Sequence, residues 1–265
     1  MTGGTILESR AVTKRFGDFI AVEEVSYRLA EGETAGIIGP NGAGKSTFFN
    51  LLSGMYPPTA GTVSLRGEDV TALPADARVA RGLVRTFQLV SVFDSLPVLE
   101  NLLLSATRFS PGYGSLPAFF LGPLRTSEAE RAAREALERV GLSARARDLT
   151  ADLSYGEKRK LEIAMALTLK PAVLLLDEPL AGLSDVEITE VLDLVSEVRR
   201  GLTLVIIEHK ISRILDLVSR LSVMHEGRLI AEGPPREILC NPEVRRVYWG
   251  EAPVCPAPES SDAAT

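Results

Sequence analysis

The sequence predicts an α/β fold in which a mainly parallel sheet surrounds a phosphate-binding loop and a helical segment is inserted into the chain. Three observations lead to this prediction. A glycine-rich loop at 39–47 lies between an apolar run and a helical pattern. The runs 172–176 and 202–207 are short and almost entirely apolar, which is typical of strands buried on both faces. Residues 97–149 show helical periodicity and little strand pattern.

The glycine loop reads GPNGAGKST and meets the pattern G-x-x-x-x-G-K-[ST]. Glycines allow the positive φ angles of a sharp turn, so backbone N–H groups can point inward and hold an anion. The positive end of the following helix, predicted over 47–53, adds to the same spot. An ordinary glycine-rich turn before a core helix is the alternative interpretation, but a strand at 34–38 favours a P-loop. The residues expected to bind the nucleotide here are Gly39, Asn41, Gly42, Ala43, Gly44, Lys45, Ser46 and Thr47.

Within this loop, Lys45 is expected to reach the β- and γ-phosphates, and the Ser46 hydroxyl is expected to bind Mg²⁺. Further strands are predicted over 6–12, 19–29, 61–66, 221–224 and 228–231. Helices are predicted from 98, over 127–140, after the LSYGE sequence at 153–157, and from 242. The chain therefore alternates strands and helices on either side of the helical segment.

Composition narrows the function classes. The 265 residues carry a formal net charge of -6, which argues against a protein whose main task is to coat nucleic acid. No stretch approaches the roughly 18 apolar residues of a membrane span, and MTGGTILESR has no signal-peptide pattern. We expect a soluble, cytoplasmic protein whose tail at 252–265, rich in Pro, Ser and Ala, is disordered.

Two adjacent acidic residues follow the apolar run 172–176, at the strand end where parallel sheets bind ligands. Asp177 is placed to hold Mg²⁺ or its water shell, and Glu178 is placed to polarise a water molecule against the γ-phosphate. The alternative is an ordinary strand-to-turn exit. Further upstream, Ser154 and Glu157 form a capping-box pattern, and the sharper hypothesis is a second phosphate site at that helix start.

The ordered motifs resemble the nucleotide-binding subunit of an ATP-binding cassette (ABC) transporter. The glycine loop resembles its Walker A motif, TFQ at 86–88 its Q-loop, LSYGE its signature, LLLDEP at 174–179 its Walker B motif, and IEH at 207–209 its histidine switch. The resemblance covers residues 5–250. It implies a P-loop NTPase with a RecA-like core, an N-terminal antiparallel β subdomain and a helical subdomain inserted at about 89–155.

The resemblance also implies roles for residues that local pattern alone does not assign. Phe16 would stack on adenine, although a core aromatic at a strand end is the alternative. Gln88 would sense Mg²⁺ and the attacking water, and report to a membrane partner. Ser154 and Gly156 would contact the γ-phosphate of ATP held by a second cassette. His209 would hold the γ-phosphate and order the attacking water, so the implied catalytic residues are Glu178, His209 and Gln88, and the implied Mg²⁺ ligands are Ser46, Gln88 and Asp177.

Three residues depart from the commonest family pattern. Tyr155 and Glu157 replace glycine and glutamine in the signature, and Ser184 replaces the usual aspartate of the D-loop. The motifs LSYGEKRKLEIA, LAGLS and IIEHK, with the ending NPEVRRVYWGE, are similar to ATPases of branched-chain amino acid importers.

This similarity implies ATP and Mg²⁺ as cofactors and a peripheral location on the cytoplasmic face of the membrane. The implied partners are transmembrane permease subunits, a second cassette that is either an identical copy or a paralogue, and, indirectly, an extracytoplasmic substrate-binding protein. Alternatives are a urea or amide importer, a lipid-exporting complex, or an ABC ATPase acting on DNA or ribosomes. The last is disfavoured, because the chain has neither a long coiled coil nor a second cassette.

Overall fold

The protein is described here by a computed structural model that covers residues 4–107 and 127–249. Its strands are β1 (Thr5–Phe16), β2 (Phe19–Ala30), β3 (Thr34–Ile38), β4 (Ala60–Leu65), β5 (Glu68–Asp69), β6 (Leu83–Arg85), β7 (Val173–Asp177), β8 (Thr203–Ile207), β9 (Arg220–His225) and β10 (Arg228–Gly233). Its α-helices are α1 (Lys45–Ser53), α2 (Ala75–Val79), α3 (Val98–Thr107), α4 (Ser127–Arg139), α5 (Tyr155–Thr168), α6 (Asp185–Val198), α7 (Ile211–Ile214), α8 (Pro235–Cys240) and α9 (Pro242–Trp249). Residues 108–126 of the predicted helical segment and the predicted disordered tail at 252–265 lie outside the described residues.

The strands form two sheets. One is antiparallel, with the order β2-β1-β4-β5. The other has the order β10-β9-β3-β8-β7-β6, in which β9, β3, β8, β7 and β6 run parallel and β10 returns antiparallel. The predicted N-terminal antiparallel subdomain and parallel core are therefore confirmed. Because β3, β7 and β8 are parallel, the chain leaves all three at the same sheet edge, where ligands of such sheets bind.

The parallel sheet separates two hydrophobic cores. Every residue of β3, β7 and β8 is buried, as the apolar runs predicted. Successive side chains of a strand point to opposite faces, so Leu174 and Leu176 join one core while Val173 and Leu175 join the other. Strand β6 was not predicted, since three residues give no readable alternation.

The inserted segment packs onto the core through its helices. α3 and α4 contact each other and α5, and their buried side chains belong to the same core as Leu174. α4 ends before Gly141, whose φ of +70° is the left-handed conformation expected at a helix C-terminus. Within 4–107 and 127–249, no helix is long and apolar enough to cross a membrane.

Candidate active site

The glycine loop connects β3 to α1 and has the conformation that its sequence predicts. Gly42 and Gly44 have φ angles of +81° and +95°, a region that only glycine enters without steric cost. The Lys45 side chain is buried, and its Nζ donates to the carbonyl oxygens of Gly39 at 2.7 Å and Pro40 at 2.9 Å. Burial lowers the pKa of Lys45, so an anion beside this ammonium would restore the stability of its charged form.

A cavity of about 340 Å³ opens over this loop. It brings the loop together with residues that come from four other parts of the chain. Its lining consists of Phe19, Ala21, Asn41, Gly42, Ala43, Gly44, Lys45, Ser46, Thr47, Gln88, Glu178 and His209.

The aromatic residue in this lining is Phe19, and Phe16 lies outside it among the described residues. Phe16 is 47% exposed, with its ring edge-on to Tyr56 at a centroid distance of 5.8 Å and with Lys14 Nζ 5.2 Å from its centroid. This exposure excludes the alternative of a core aromatic. The Phe16 ring is accessible to an adenine base, and stacking on adenine stays a prediction.

Glu178 is the point at which three motifs meet. Gln88 Nε2 donates to Glu178 Oε2 at 2.9 Å, and His209 Nε2 lies 2.8 Å from Glu178 Oε1. An ionised carboxylate only accepts hydrogen bonds, so His209 is the donor to Glu178 in the tautomer that carries its proton on Nε2. Sequence reasoning selected all three residues from motifs far apart in the chain, and the carboxyl edge of the sheet brings them together.

The backbone of Glu178 is unusual for a residue other than glycine. Its φ is +47°, in the left-handed region, while its N–H donates to the Ile207 carbonyl at 2.9 Å. Such a conformation costs about 1–3 kcal/mol and is concentrated at functional sites. Glu178 lines the cavity over the glycine loop, so this strained residue lies within the site.

Asp177, the last residue of β7, is held by an arginine that sequence reasoning missed. Arg85 Nη2 lies 2.5 Å from Asp177 Oδ2, and both side chains are buried. Arg85 also donates to Asn50 Oδ1 at 2.6 Å, which ties β6 and β7 to α1. The other oxygen, Asp177 Oδ1, is buried and has no hydrogen-bond partner within the described chain. A buried carboxylate oxygen in that state can accept a ligand, so Asp177 fits the predicted contact with Mg²⁺ or its water shell.

A second buried ion pair clamps the backbone around Gln88. Arg159 of α5 is fully buried and donates to the carbonyl oxygens of Phe87 and Gln88, each at 2.7 Å. It also contacts Glu162 Oε2 at 2.7 Å, while Glu162 Oε1 accepts from the N–H of Phe87 at 3.2 Å and Ser91 at 3.4 Å. Burial raises the pKa of Glu162. The helix that follows LSYGE therefore fixes the segment that carries Gln88.

The Glu208 side chain holds the backbone at His209 and Lys210 against the backbone at Leu180. Its side chain is buried, and it accepts from the N–H groups of Leu180 at 2.8 Å, His209 at 3.0 Å and Lys210 at 3.2 Å. Burial raises the pKa of Glu208. This carboxylate joins the loop after β7 to the loop after β8, a contact that sequence reasoning did not anticipate.

The LSYGE residues form the predicted capping box at the start of α5. Ser154 Oγ accepts from Glu157 N–H at 3.1 Å, and Glu157 Oε2 accepts from Ser154 N–H at 2.8 Å. Neither Ser154 nor Gly156 lines the cavity over the glycine loop in the described chain. Ser184, the residue that departs from the D-loop pattern, is the N-cap of α6, a position that serine and aspartate fill about equally well.

Comparisons with known proteins agree with these motifs. The ABC transporter family model matches residues 22–181, and a model for the branched-chain amino acid ATP-binding cassette transporter matches residues 228–252. The chain is 40% identical over 256 residues to the high-affinity branched-chain amino acid transport ATP-binding protein LivG of Salmonella typhimurium, covering 93% of this chain and 98% of that protein. It is 33% identical over 246 residues to the lipopolysaccharide export system ATP-binding protein LptB of Escherichia coli (strain K12), covering 92% and 97%.

Among solved structures, the ADP conformation of an ATP-binding cassette of an ABC transporter superposes with a TM-score of 0.82 at 33% identity. This match covers 94% of this chain and 100% of that one. The predicted fold is therefore confirmed over nearly the whole chain. The matched residues 22–181 include the glycine loop, the LSYGE sequence and the Asp177–Glu178 pair, and the chain belongs to the ABC transporter family.

Proposed function

We propose that this chain is the ATP-hydrolysing subunit of a transporter that imports branched-chain amino acids. The observation that carries the proposal is the meeting of Gln88, Glu178 and His209 above the glycine loop, in one cavity. Phosphoryl transfer requires chiefly positioning and electrostatic stabilisation. A carboxylate between an amide and an imidazole, beside a phosphate-binding loop, is arranged to orient a water molecule and to accept its proton.

In this proposal the glycine loop and the start of α1 bind the phosphates through backbone N–H groups. The Lys45 ammonium exchanges the Gly39 and Pro40 carbonyls for phosphate oxygens, a contact that compensates its buried charge. Phe16, exposed at the end of β1, stacks on adenine. The binding set is the one the sequence predicts: Phe16, Gly39, Asn41, Gly42, Ala43, Gly44, Lys45, Ser46 and Thr47, with Ser154 and Gly156 from a second cassette.

Mg²⁺ fits a site made of Ser46, Gln88 and Asp177 together with the phosphates of ATP. No group of three or more His, Cys, Asp or Glu side chains in the described residues could hold a metal ion alone. Mg²⁺ commonly binds through one or two carboxylates plus substrate phosphates, and Oδ1 of Asp177, unpartnered in the part of the chain that the structure describes, would supply the carboxylate oxygen. When bound, the ion supplies positive charge that offsets the charge of the phosphates. Arg85 orients Asp177 by holding its Oδ2.

Glu178 accepts the proton of the attacking water in this scheme. His209 and Gln88 each hydrogen-bond one of its carboxylate oxygens. When ATP is bound, each side chain is placed to exchange this contact for one with the attacking water or the γ-phosphate. Ser154 and Gly156 lie outside the cavity formed by their own chain, so they serve the ATP bound to a second cassette. The active assembly is therefore a dimer of this chain with a copy of itself or with a paralogue.

The transported substrate follows from the relatives rather than from the site. Both the 40% identity to LivG and the match at residues 228–252 favour branched-chain amino acid import. A lipid-exporting complex is the second candidate, favoured by the 33% identity to LptB. In either case the partners are membrane permease subunits, and the chain works at the cytoplasmic face of the membrane; in the import case an extracytoplasmic binding protein delivers the substrate.

Reconstitution with branched-chain amino acid permease subunits tests the proposal. We expect the ATPase rate in vesicles to rise when the extracytoplasmic binding protein carries leucine, isoleucine or valine, because substrate arrival favours closure of the cassettes. Urea and short amides serve as matched controls and should leave the rate unchanged. Stimulation by these controls alone would replace the proposed substrate, and stimulation by a lipid without a binding protein would favour export.

A second prediction concerns the surface that meets the permease. Phe87 and Leu89 flank Gln88 and are 40% and 79% exposed, and Phe93, five residues after Gln88, is 54% exposed. These side chains give the segment 87–93 an exposed apolar surface. Such surfaces mark protein contacts, and a short amphipathic helix of the permease fits them. A photo-crosslinking amino acid at Leu89 should therefore label the permease. The same group at Val186 of α6, which is 70% exposed, should not label the permease. Labelling from Val186 but not from Leu89 would contradict the proposed interface and place the permease contact on α6.

A further inference from the structure

The two donors of the LSYGE sequence that are assigned to a γ-phosphate already bind an anionic group of this chain. Gly156 N–H donates to Glu187 Oε1 at 2.9 Å, and Ser154 Oγ donates to the same oxygen at 3.3 Å. Glu187 lies in the first turn of α6, three residues after the D-loop residue Ser184, which is the N-cap of this helix. One carboxylate oxygen therefore occupies both hydrogen bonds that the second cassette's ATP would require.

The second carboxylate oxygen of Glu187 is also held by hydrogen bonds. Glu187 Oε2 accepts from Ser184 N–H at 3.0 Å and from Ser184 Oγ at 2.8 Å, which completes the capping box of α6. The Ser184 N–H and hydroxyl, with the Gly156 N–H, lower the pKa of Glu187. The group is thus an anion at neutral pH, fixed by donors from two helix starts.

The carboxylate also fills the space in front of Gly156. A Cβ at Gly156 would lie 2.6 Å from Glu187 Oε1. Because Gly156 N–H already donates to Glu187 Oε1 at 2.9 Å, a phosphate oxygen that approaches this N–H would meet Glu187 Oε1 first. Two anions cannot share these donors, because like charges at contact distance repel and each donor hydrogen serves one acceptor well.

We propose that Glu187 competes with the γ-phosphate of ATP for Ser154 and Gly156, so that the two cassettes close only after this carboxylate has turned away. The proposal rests on the proposed function, since it takes Ser154 and Gly156 as the γ-phosphate donors of a second cassette. In an isolated cassette, Glu187 occupies the two donors of the LSYGE sequence. The free energy needed to break these hydrogen bonds makes dimerisation less favourable by the same amount. A conformational equilibrium of this kind raises the ATP concentration needed for closure.

The test measures the ATP concentration at half-maximal dimerisation. The parent is a Glu178→Gln protein, in which hydrolysis should be about 10²–10⁴-fold slower, so that closed dimers are expected to accumulate. Adding Glu187→Gln keeps an oxygen that can cap α6 but removes the negative charge. The half-maximal ATP concentration should fall about three- to tenfold, the range expected for weak, solvent-accessible charged contacts made once per site. ATP binding to the monomer should stay unchanged.

Glu190→Gln is the matched control. Glu190 lies on the same helix and pairs with Lys160 of α5 at 2.6 Å, so the variant removes one equal charge and one contact between α5 and α6. Glu187→Asp is a second variant, which keeps the charge and the cap but is one methylene shorter. It should also lower the half-maximal concentration, because it cannot reach Gly156.

The outcomes separate the competition from the proposed function. If the Glu178→Gln parent forms no ATP-dependent dimer, the two-cassette function is wrong and the competition falls with it. If the parent dimerises but Glu187→Gln and Glu187→Asp leave the midpoint unchanged or raise it, the competition alone is wrong. An equal fall in Glu190→Gln would also overturn it, since the effect would then be one of surface charge on α6.

Discussion

Glu178→Gln is expected to lower the ATPase rate by about 10²–10⁴-fold, the usual contribution of a positioned general base. The amide keeps the size of the carboxylate and can still contact Gln88 and His209, which lie 2.9 Å and 2.8 Å from its two oxygens. It cannot accept a proton from water at neutral pH. ATP binding should persist, because Lys45, Ser46 and the loop N–H groups do not depend on Glu178. Closed dimers with uncleaved ATP should therefore become visible by size-exclusion chromatography.

Lys45→Ala is the contrasting variant. The Lys45 ammonium is buried among loop carbonyls and lines the cavity. Its removal should weaken ATP binding and prevent the dimer that Glu178→Gln stabilises. ATPase rate and ATP-dependent dimer fraction are measured for both proteins. A Glu178→Gln protein that hydrolyses ATP near the wild-type rate would remove Glu178 from the base role and leave His209 as the next candidate to organise the water.

The parts of this site that sequence predicted are those encoded within a few neighbouring residues. Gly42 and Gly44 predict the sharp turn of the glycine loop. The apolar runs of β7 and β8 predict buried parallel strands. Once strands are parallel, their exits must share one edge, so the positions of Glu178 and His209 follow from local patterns. The family resemblance then linked Gln88 to them, and the 2.9 Å contact with Glu178 agrees with that link.

The parts that sequence missed are contacts between distant residues that carry no local pattern. Arg85 and Asp177 are 92 residues apart, and Phe87 and Glu162 are 75 apart. A single arginine or glutamate within an apolar or helical run looks the same whether it faces solvent or a buried partner. Glu187 satisfies an ordinary capping box, and nothing in its sequence context indicates that its second oxygen reaches Gly156. Tertiary packing decides such contacts, and only the folded chain displays them.

Arg159→Met is expected to lower the free energy of unfolding by about 3–5 kcal/mol, the usual cost of leaving a buried charge without its partner. Arg159 is fully buried, and Glu162 is 5% exposed. Methionine fills much of the arginine volume but cannot pair with Glu162, and the Phe87 and Gln88 carbonyls lose their donor. Urea unfolding at neutral pH measures the loss. Arg131→Met is the matched control, because its ion pair with Glu135 is exposed on α4 and should cost less than about 1 kcal/mol.

The loss of unfolding free energy in Arg159→Met should depend on pH, because it depends on the charge of Glu162. Burial raises the pKa of Glu162 above its ordinary 4.5, and Arg159 opposes this shift, so removing Arg159 raises the pKa further. A carboxyl whose folded-state pKa is raised is least destabilising below its unfolded pKa, and its penalty grows as pH rises from that value to the folded-state pKa. The Arg159→Met penalty should therefore grow as pH rises above the ordinary value of 4.5 and become constant above the raised folded-state pKa of Glu162. Adding Glu162→Gln should recover part of the stability and flatten that dependence, because no carboxyl then remains to ionise. A penalty that is independent of pH, or one that Glu162→Gln deepens, would contradict a buried, charged Glu162 as the source of the loss.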